Sequence, residues 1–491
     1  MDTVLEIETK FEVGPTAVLP DLSSLPTVSS VDPAVDEDLT AIYFDTPALA
    51  LLHAHVTLRR RTGGHDAGWH LKLPAHDDRY ELQEPLGDPA EIPRRMLEVI
   101  YGLTRGESPQ EIATLHTHRC LTRLRAAAGP VVATICDDRV EANSAGSAST
   151  SRWREWELEL TMPNPALAEA GAELLRSAGA RNSTAPSKLS RALSLTPALE
   201  TKQPPISSRT VVADVLGPYL AEQAARLAQL DPLVRADLPD AVHQMRVTAR
   251  RLRAVLVGFD REFVAGRTAR LRNDLGWLAS ELGRARDLEV LRERIATTAG
   301  ENRGELAGID AELAESHEHA HDDAVAAMAS TRYFGLLDAL AAFTADPPWG
   351  ERAKTSADSE LTDRLQRLWR RMNRAVHELD DNSDIERTVR LHEIRRMAKR
   401  LRYCTEATEP LLGSRARDLA HSLSDLQDTL GRHHDAVLAD RMIEAMNDNR
   451  DAASVAGATR QRLRIDALDD DRRAVRMLHR IRRRHEYRWL R

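Results

Sequence analysis

Charged side chains recur at every second position in three short segments, a spacing that could hold a metal ion and phosphate groups together. These positions are Glu6, Glu8 and Lys10, then Arg59 and Arg61, and finally Glu155, Glu157 and Glu159. Because alternate residues of a β-strand share one face, the members of each set would point in the same direction. Carboxylates are ligands for Mg²⁺ or Mn²⁺, whereas ammonium and guanidinium groups bind phosphate oxygens. If the strands close a barrel, its lumen would favour a divalent cation bound with a chain of phosphates.

A plainer explanation of the same pattern is a solvated strand face with cross-strand ion pairs, which needs no ligand. Several such runs follow one another, however, and burying so much charge is stable only when both signs are matched. We therefore favour the enclosed site. The sequence has no glycine-rich phosphate loop, which disfavours kinase and P-loop chemistry.

The segments around these residues indicate the elements that must position them. Residues 6–13, 69–73 and 156–160 alternate polar and apolar side chains with period two, as strands do. Helical patterns interrupt them near Pro109–Thr117 and Ala166–Ala178. The first 195 residues or so therefore predict an α+β region dominated by antiparallel strands.

A proline-rich, polar segment near Leu195–Arg209 separates this region from the rest of the chain. We interpret it as a linker, because such composition cannot bury a core. The apolar period then becomes helical and stays so to the C-terminus. The predicted organisation is a multidomain α+β plus all-α chain, with domains at residues 1–198 and 209–491 and a linker at 199–208.

The helical region contains an internal repeat. The motif that begins at His243 recurs at His392, an offset of 149 residues (392 minus 243). Leu275, Leu278, Leu282, Gly283 and Asp287 recur 148 residues later as Leu423, Leu426, Leu430, Gly431 and Asp435. A duplication of this size predicts two helix bundles related by a pseudo-twofold axis.

Each copy of the repeat carries basic residues with the spacing i, i+3, i+7 and i+10. On a helix such positions form one stripe. The two stripes are His243, Arg246, Arg250 and Arg253, and His392, Arg395, Lys399 and Arg402. They could line one groove that binds a repeating anion. The alternative is that these cations cover the surface and pair with acidic residues of neighbouring helices.

Composition limits the classes of protein that need considering. Charged residues make up 29% of the chain and hydrophobic residues 42%, as in ordinary globular proteins. The net charge of −8 makes a nucleic-acid polycation unfavourable. The acidic N-terminus does not have the pattern of a signal peptide, and no apolar run is long enough for a membrane span. The three cysteines lack CxxC spacing, which suits a reducing compartment. We therefore expect a cytoplasmic protein.

The N-terminal motifs resemble the CYTH family, the triphosphate tunnel metalloenzymes. The opening ExExK motif spans Glu6 to Lys10. It is followed, in the family's order, by Tyr43 to Pro47, Leu58 to Arg61, Trp69 to Lys72, Trp153 to Glu159 and finally Pro186 to Lys188. The resemblance covers about residues 1–200. Lysine is scarce in the chain, and three of its six lysines fall on these motifs.

The resemblance implies an eight-stranded antiparallel tunnel that cleaves linear triphosphates with Mg²⁺ or Mn²⁺. It implies that Glu6, Glu8, Glu157 and Glu159 hold metal, and that Lys10, Arg59, Arg61, Lys72, Arg119 and Lys188 hold phosphate. Catalytic roles would fall to Glu6, Glu8, Lys10, Glu81 and Asp138. Asp137 competes with Asp138 for one position, and Arg123 competes with Arg119 for another.

The helical region resembles the CHAD domain, the conserved histidine alpha-helical domain, over about residues 206–491. The hallmarks are the two histidine–arginine motifs and the Leu-Gly segments at Leu282 and Leu430. The resemblance implies binding of inorganic polyphosphate and association with polyphosphate granules. It adds His433 and His434 to the two basic stripes, as phosphate contacts or core residues rather than metal ligands.

Three hypotheses of function follow. The first is an enzyme whose barrel hydrolyses inorganic triphosphate, or a related triphosphate, while the helices bind polyphosphate. The second is a non-catalytic polyphosphate scaffold. The third is a class IV-like adenylate cyclase, because the barrel family includes such enzymes, although no residue of this chain favours it.

Overall fold

A computed structural model describes residues 2–75, 78–88, 91–127, 129–145, 150–194, 206–379, 384–446 and 453–490. For residues 2–6, 75, 78, 384–389, 446, 453, 485 and 486 it describes the backbone alone. The chain forms two compact units, one of Met1–Lys202 with Asp231–Ala236 and one of Gln203–Leu230 with Asp237–Arg491, and the first of these boundaries falls in the predicted linker. Residues 199–205 of that linker lie outside the described residues, so its bounds stay a prediction.

The N-terminal unit is built on one antiparallel sheet. Its strands are β1 (Asp2–Glu12), β2 (Ser30–Val31), β3 (Val35–Asp45), β4 (Thr57–Thr62), β5 (Gly68–Ala75), β6 (Asp78–Glu84), β7 (Gln110–Arg125), β8 (Val131–Ser144), β9 (Thr150–Leu160) and β10 (Arg181–Asn182). The order is β1-β6-β5-β4-β3-β7-β8-β9, and β9 pairs with β1 to close the ring. Two of the ten strands are only two residues long, which leaves the eight-stranded barrel that was predicted.

The apolar core of this unit lies outside the barrel wall. The helices are α1 (Ala50–His53), α2 (Arg94–Thr104), α3 (Pro165–Ser177) and α4 (Lys188–Ala192). Trp156 and Leu158 point outward from β9 and pack with Leu167 and Leu175 of α3. Each fully buried leucine contributes about 1.5–3 kcal/mol. Because the outward positions take the apolar residues, the alternating charged residues face the lumen.

The helix predicted at Ala166–Ala178 is confirmed as α3, whose first turn is capped by Asn164 through a hydrogen bond from the Leu167 N–H. The helix predicted near Pro109–Thr117 is wrong, since this segment is the start of β7. Its alternate residues are buried, and β7 pairs with both β3 and β8, so two ladders of cross-strand hydrogen bonds outweigh local helix preference.

The C-terminal unit is all-helical. Its α-helices are α5 (Val212–Arg235), α6 (Ala241–Gly258), α7 (Ala269–Ala299), α8 (Ala307–Met328), α9 (Thr331–Ala345), α10 (Ala357–His377), α11 (Asp384–Ala407), α12 (Glu409–Leu412), α13 (Ser414–Met446) and α14 (Ala453–Arg483). In the part of the chain that is described, no helix combines the length and apolar character needed to cross a membrane.

The internal repeat coincides with two matched helix pairs. The first copy of the motif lies on α6 and α7, and the second on α11 and α13. α6 packs on α7 as α11 packs on α13, while α6 contacts α11 and α7 contacts α13. The apolar stripe of α6, formed by Leu252, Val255, Leu256 and Phe259, is fully buried. This arrangement is the one a pseudo-twofold duplication predicts, with the two basic stripes brought together.

Candidate active site and candidate phosphate groove

The barrel encloses a cavity of about 360 Å³ whose lining is mostly charged. Ten predicted residues line it: Glu8, Lys10, Arg59, Arg61, Lys72, Glu81, Arg119, Glu157, Glu159 and Lys188. The side chain of Glu6 lies outside the described residues. All ten are buried or half-buried; nine lie on strands from all round the barrel and Lys188 begins α4, so the solvated strand face is excluded.

Carboxylates face one another across the β1–β9 ladder. Glu8 is paired directly with Glu159, and Glu157 is one position along the same face. One oxygen from each of these three carboxylates lies within 4.8 Å of the others. Like charges directly opposite each other destabilise a sheet unless a cation lies between them. This trio is therefore the group best suited to hold a divalent metal ion.

The pKa values of this trio reflect how unevenly it is neutralised. Burial raises the pKa of Glu159 to about 7, with Glu157 and Glu8 adding to the rise, and its nearest cation, Arg119, is 3.9 Å away. Burial also opposes ionisation of Glu8, but Lys10, whose Nζ is 2.8 Å from its carboxylate, helps to lower the pKa of Glu8 to about 2. Glu159 is thus the least compensated carboxylate of the trio.

Arg119 and Lys188 hold the rest of the acidic side of the lumen together. Arg119 donates two hydrogen bonds to Asp138, of 2.8 and 2.7 Å, and a third of 2.9 Å to Glu157. The Lys188 ammonium lies 3.0 Å from Asp138, 2.8 Å from Glu155 and 2.6 Å from Glu157. A second acidic trio, Asp138, Glu155 and Glu157, is thereby neutralised by Lys188 and suits a metal ion less well.

Two alternatives left by the sequence differ clearly in position. Asp138 is fully buried against Arg119, whereas Asp137 points to the other face of β8 and accepts a 2.6 Å hydrogen bond from Arg154. Asp138 is therefore the aspartate on the lumen side. Arg119 and Arg123 both line the cavity, so their position does not decide which of them holds phosphate.

Cations dominate the opposite wall, around Glu81. Its carboxylate is 3.5 Å from Arg59 and 3.9 Å from Lys72, and it accepts a 2.9 Å hydrogen bond from His70 Nδ1 if that nitrogen is protonated. Despite burial, these cations hold the pKa of Glu81 well below its usual range. Burial, Arg59 and Arg119 lower the pKa of Arg61 to about 9. This wall has more positive charge than its carboxylates offset, as a phosphate site requires.

Sequence inspection missed several lining residues. Arg79 lies two positions before Glu81, so the period of two places it on the same lumen face. Asp66, which forms an ion pair with Arg61, lies in the turn between β4 and β5, where no strand period applies. No pattern in the sequence marks it.

In the helical unit, the basic stripes of α6 and α11 meet in a cavity of about 350 Å³, here called the central groove. Seven predicted residues line it: His243, Arg246, Arg250, His392, Arg395, Lys399 and His434. Arg246 pairs with Asp287 at 2.8 Å, but among the described residues no carboxylate forms an ion pair with Arg250, Arg395 or Lys399. Burial, then Arg250, Arg395 and Arg246, lower the pKa of Lys399 to about 6.

Three predicted groove residues lie elsewhere. Arg253 lines an adjoining cavity of about 400 Å³. Arg402 and His433 line neither cavity, which is a correction to the predicted stripe. Arg402 is turned to Glu406, one helical turn further on, with a 2.7 Å hydrogen bond. His433 Nδ1 donates a 2.9 Å hydrogen bond to the Ala467 carbonyl, so α14 holds it in place.

Comparison with known proteins matches both halves of the chain. The CYTH domain family matches residues 5–193 and the CHAD domain family residues 218–444. Two uncharacterized proteins, from two strains of Mycobacterium tuberculosis, are 35% identical over 467 residues, which is 89% of this chain and 87% of theirs.

Solved structures resemble each half separately. PptA from Streptomyces chartreusis is 21% identical, with a TM-score of 0.47, over 55% of this chain and 100% of its own. The CHAD domain from Ricinus communis is 25% identical, with a TM-score of 0.46, over 58% of this chain and 96% of its own. A Hippeastrum protein, described as a candidate adenylyl cyclase with a dominant triphosphatase activity, is 18% identical, with a TM-score of 0.26, over 40% of this chain and 98% of its own. Together with the family matches and the 35% identical relatives, the closed barrel and the duplicated helices make this chain a CYTH–CHAD domain protein.

Proposed function

We propose that the barrel binds linear triphosphates with Mg²⁺ or Mn²⁺ and hydrolyses them, and that the helical unit binds inorganic polyphosphate. The observation that carries the first part is the direct pairing of Glu8 with Glu159 inside a closed barrel whose opposite wall is cationic. Two facing carboxylates are suited to a cation, and an excess of arginine and lysine is suited to phosphate.

The donor set fits a hard divalent cation. Glu8, Glu157 and Glu159 offer only oxygen ligands, which Mg²⁺ and Mn²⁺ prefer. When bound, such an ion supplies charge neutralisation for the phosphates and lowers the pKa of coordinated water. Glu6 is the fourth ligand implied by the family motif, and its assignment rests on the sequence alone.

The protein's own side chains would do the positioning. Arg59, Arg61 and Lys72 would bind phosphate oxygens and stabilise charge that spreads over them as the phosphoanhydride bond breaks. Arg119 and Lys188 are fixed by Asp138 and Glu157, so their positions do not have to be organised when substrate arrives. The barrel wall limits the water around the reacting phosphate. These cations orient the triphosphate for in-line attack by water.

The test is phosphate release from tripolyphosphate, with long polyphosphate and nucleoside triphosphates, including ATP, as competing substrates. We expect release with Mg²⁺ or Mn²⁺, loss of release with a chelator, and loss in Glu159→Gln. The matched control is Glu141→Gln, because Glu141 of β8 forms an exposed ion pair with Arg152 of β9. No release from any triphosphate under these conditions would contradict the enzyme and favour the scaffold. Formation of cyclic AMP would favour the cyclase.

The second part of the proposal rests on the unpaired cations of the central groove. Arg250, Arg395 and Lys399 converge there, and each has a lowered pKa because burial and the other cations oppose its charge. A chain of phosphates removes that repulsion by supplying charge at regular intervals. Association with polyphosphate granules would follow from the same contacts.

Retention on immobilised long-chain polyphosphate tests this part. We expect the double substitution Arg395→Glu and Lys399→Glu to abolish retention while phosphate release by the barrel continues. Arg415→Glu combined with Lys354→Glu, which replaces one exposed arginine and one exposed lysine, serves as the control for net charge. Equal retention of all three proteins would contradict the groove.

A further inference from the structure

The two copies of the repeat differ at one end of the central groove. Arg253 and Arg402 are equivalent residues, 149 positions apart (402 minus 253). Arg402 is bound by the carboxylate of Glu406 at 2.7 Å and by the amide of Gln427 at 3.3 Å. Glu406 also pairs with Arg251 of α6 at 3.3 Å. One glutamate therefore pairs with two arginines at what we call the closed end, defined by Arg402, Glu406 and Gln427.

The first copy lacks these partners. Val257 stands at the position equivalent to Glu406 (406 minus 257 is 149), and Ala279 at the position equivalent to Gln427 (427 minus 279 is 148). With these short apolar side chains in place, the equivalent region is a cavity of about 400 Å³ that includes Arg253, Val257 and Ala279. We call it the open end.

The open end is continuous with the central groove. Arg250, Arg396, Lys399 and Tyr403 line both cavities. A Cβ atom at Gly276 would lie 3.0 Å from Nε of Arg253, closer than most such contacts. The glycine thus lets the Arg253 side chain lie along α7.

Positive charge accumulates at the open end, where the described lining includes no carboxylate. Arg400 is equivalent to Arg251, yet within the described chain it forms no ion pair with a carboxylate. Burial lowers the pKa of Arg400; Cys404 opposes that shift, and Arg371, Arg253 and Arg396 reinforce it. Arg396 replaces Val247 of the first copy, and with Arg371, Arg374 and Arg400 it lines a further surface cavity of about 410 Å³. The two carboxylates of that cavity, Glu378 and Glu393, both pair with Arg390. A basic path therefore leads out of the groove on this side.

We propose that a bound polyphosphate chain leaves the central groove through the open end, over Arg253, Arg396 and Arg400, and not through the closed end. This inference rests on the polyphosphate binding proposed above. A short oligophosphate would occupy the central groove alone, whereas a long chain would also follow the basic path. The duplicated domain would thereby bind its ligand in one direction and prefer long chains.

Equivalent substitutions in the two copies test the inference in the full-length protein. We expect Arg253→Gln to lower the affinity for long-chain polyphosphate by about tenfold, as for loss of a charged hydrogen bond, and Arg402→Gln to leave it unchanged. Affinity for a short oligophosphate should be the same in both. The barrel is identical in the two variants, so it cannot cause a difference. The slope of log affinity against log salt should fall by about one for Arg253→Gln alone.

Val257→Glu is an independent test, because it recreates the closed end in the first copy. Its carboxylate would lie one turn from Arg253 and beside Arg400, as Glu406 does for Arg402 and Arg251. We expect weaker binding of long chains with unchanged binding of short ones, and no such loss in Val257→Gln. Equal long-chain affinities of wild type, Arg253→Gln and Val257→Glu would overturn the open end while leaving the groove in place. Failure of the wild type to bind any chain would remove the proposed function itself.

Discussion

The barrel lumen and the central groove are both rich in cations, but they balance charge in opposite ways. In the lumen, carboxylates are interleaved with the cations, and Arg119 and Lys188 each contact two or more of them. In the groove, Arg250, Arg395 and Lys399 repel one another. The lumen is therefore organised before a ligand binds. In the groove, Asp287 and Asp435 are the only carboxylates of the described lining, so most of the counter-charge must come from the ligand.

Two buried lysines show the difference most directly. The carboxylates of Glu155, Glu157 and Asp138 raise the pKa of Lys188 well above its usual value against the effect of burial. Burial and neighbouring arginines lower the pKa of Lys399 to about 6. Removing a cation should consequently destabilise the barrel and stabilise the helical unit.

Arg119→Met should give the largest effect. Asp138 is fully buried, and without Arg119 its remaining close cation would be Lys188. Glu157 would keep Lys188 and a more distant contact with Lys10. Breaking a buried ion pair from one side costs about 3–5 kcal/mol in the free energy of unfolding. Chemical denaturation of the barrel would measure this loss.

Arg123→Met is the matched control for Arg119→Met. Arg123 lines the same cavity from the same strand, but it is only half-buried and forms no ion pair with a described carboxylate. We expect its loss to change the free energy of unfolding by less than about 1 kcal/mol. Similar losses in the two variants would show that the interleaved pairs do not stabilise the barrel.

The pair Asp138→Asn and Asp137→Asn should separate the two faces of β8. Asp138 fixes Arg119 and Lys188, and a displacement of such groups by about 1 Å can lower turnover by about a hundredfold. Asp137 contacts Arg154 outside the lumen, so turnover should stay near that of the wild type. Phosphate release from tripolyphosphate measures both, and equal turnover would contradict the lumen assignment of Asp138.

The lumen residues could be predicted well because the alternation that marks them lies within single strands. A period of two placed Glu8, Arg59 and Glu157 on inward faces, and closure of eight strands then brought them together. The same rule applied to β7 would have corrected the helix predicted near Pro109–Thr117. Asp66 lay beyond prediction, because its place depends on a turn and on its contact with Arg61.

The groove was predicted from the repeat, and the repeat also explains where the prediction is wrong. Equivalent positions suggested equivalent roles, so Arg402 was grouped with Arg253. Glu406 and Gln427 differ from Val257 and Ala279, and they redirect Arg402. His433 faces a carbonyl of α14, a helix outside both copies of the motif. Partners outside the repeated motif decide such cases, so the motif alone does not reveal them.

Lys399→Met should have the opposite sign to Arg119→Met. At neutral pH the folded groove disfavours the charged ammonium, and an uncharged side chain of similar length removes that cost. We expect the free energy of unfolding of the helical unit to rise by about 1 kcal/mol, with weaker polyphosphate binding. Lys354→Met is the control, because Lys354 is exposed and pairs only with nearby Glu351 among the described residues. Destabilisation by Lys399→Met would contradict the repulsion argument.

The smallest predicted effect is a dependence of polyphosphate affinity on pH. In the free protein Lys399 loses its proton above about pH 6, since burial and Arg250, Arg395 and Arg246 oppose the charge. A bound phosphate chain supplies negative charge and raises that pKa, so binding takes up a proton above pH 6. Affinity for polyphosphate should therefore increase as the pH falls from 8 towards 6. Uptake of one full proton would raise it about tenfold per pH unit; we expect about threefold, because salt screens the charges of the groove.

Lys399→Arg isolates this proton, because an arginine keeps its charge throughout the same range. The groove histidines also have lowered pKa values, and any protons that they take up on binding are common to both proteins and cancel in the comparison. Titration calorimetry in buffers of different ionisation enthalpy would count the protons taken up. An identical pH dependence in wild type and Lys399→Arg would mean that the free groove already holds a charged lysine, and that its positive charge is offset before the polymer binds, as in the barrel.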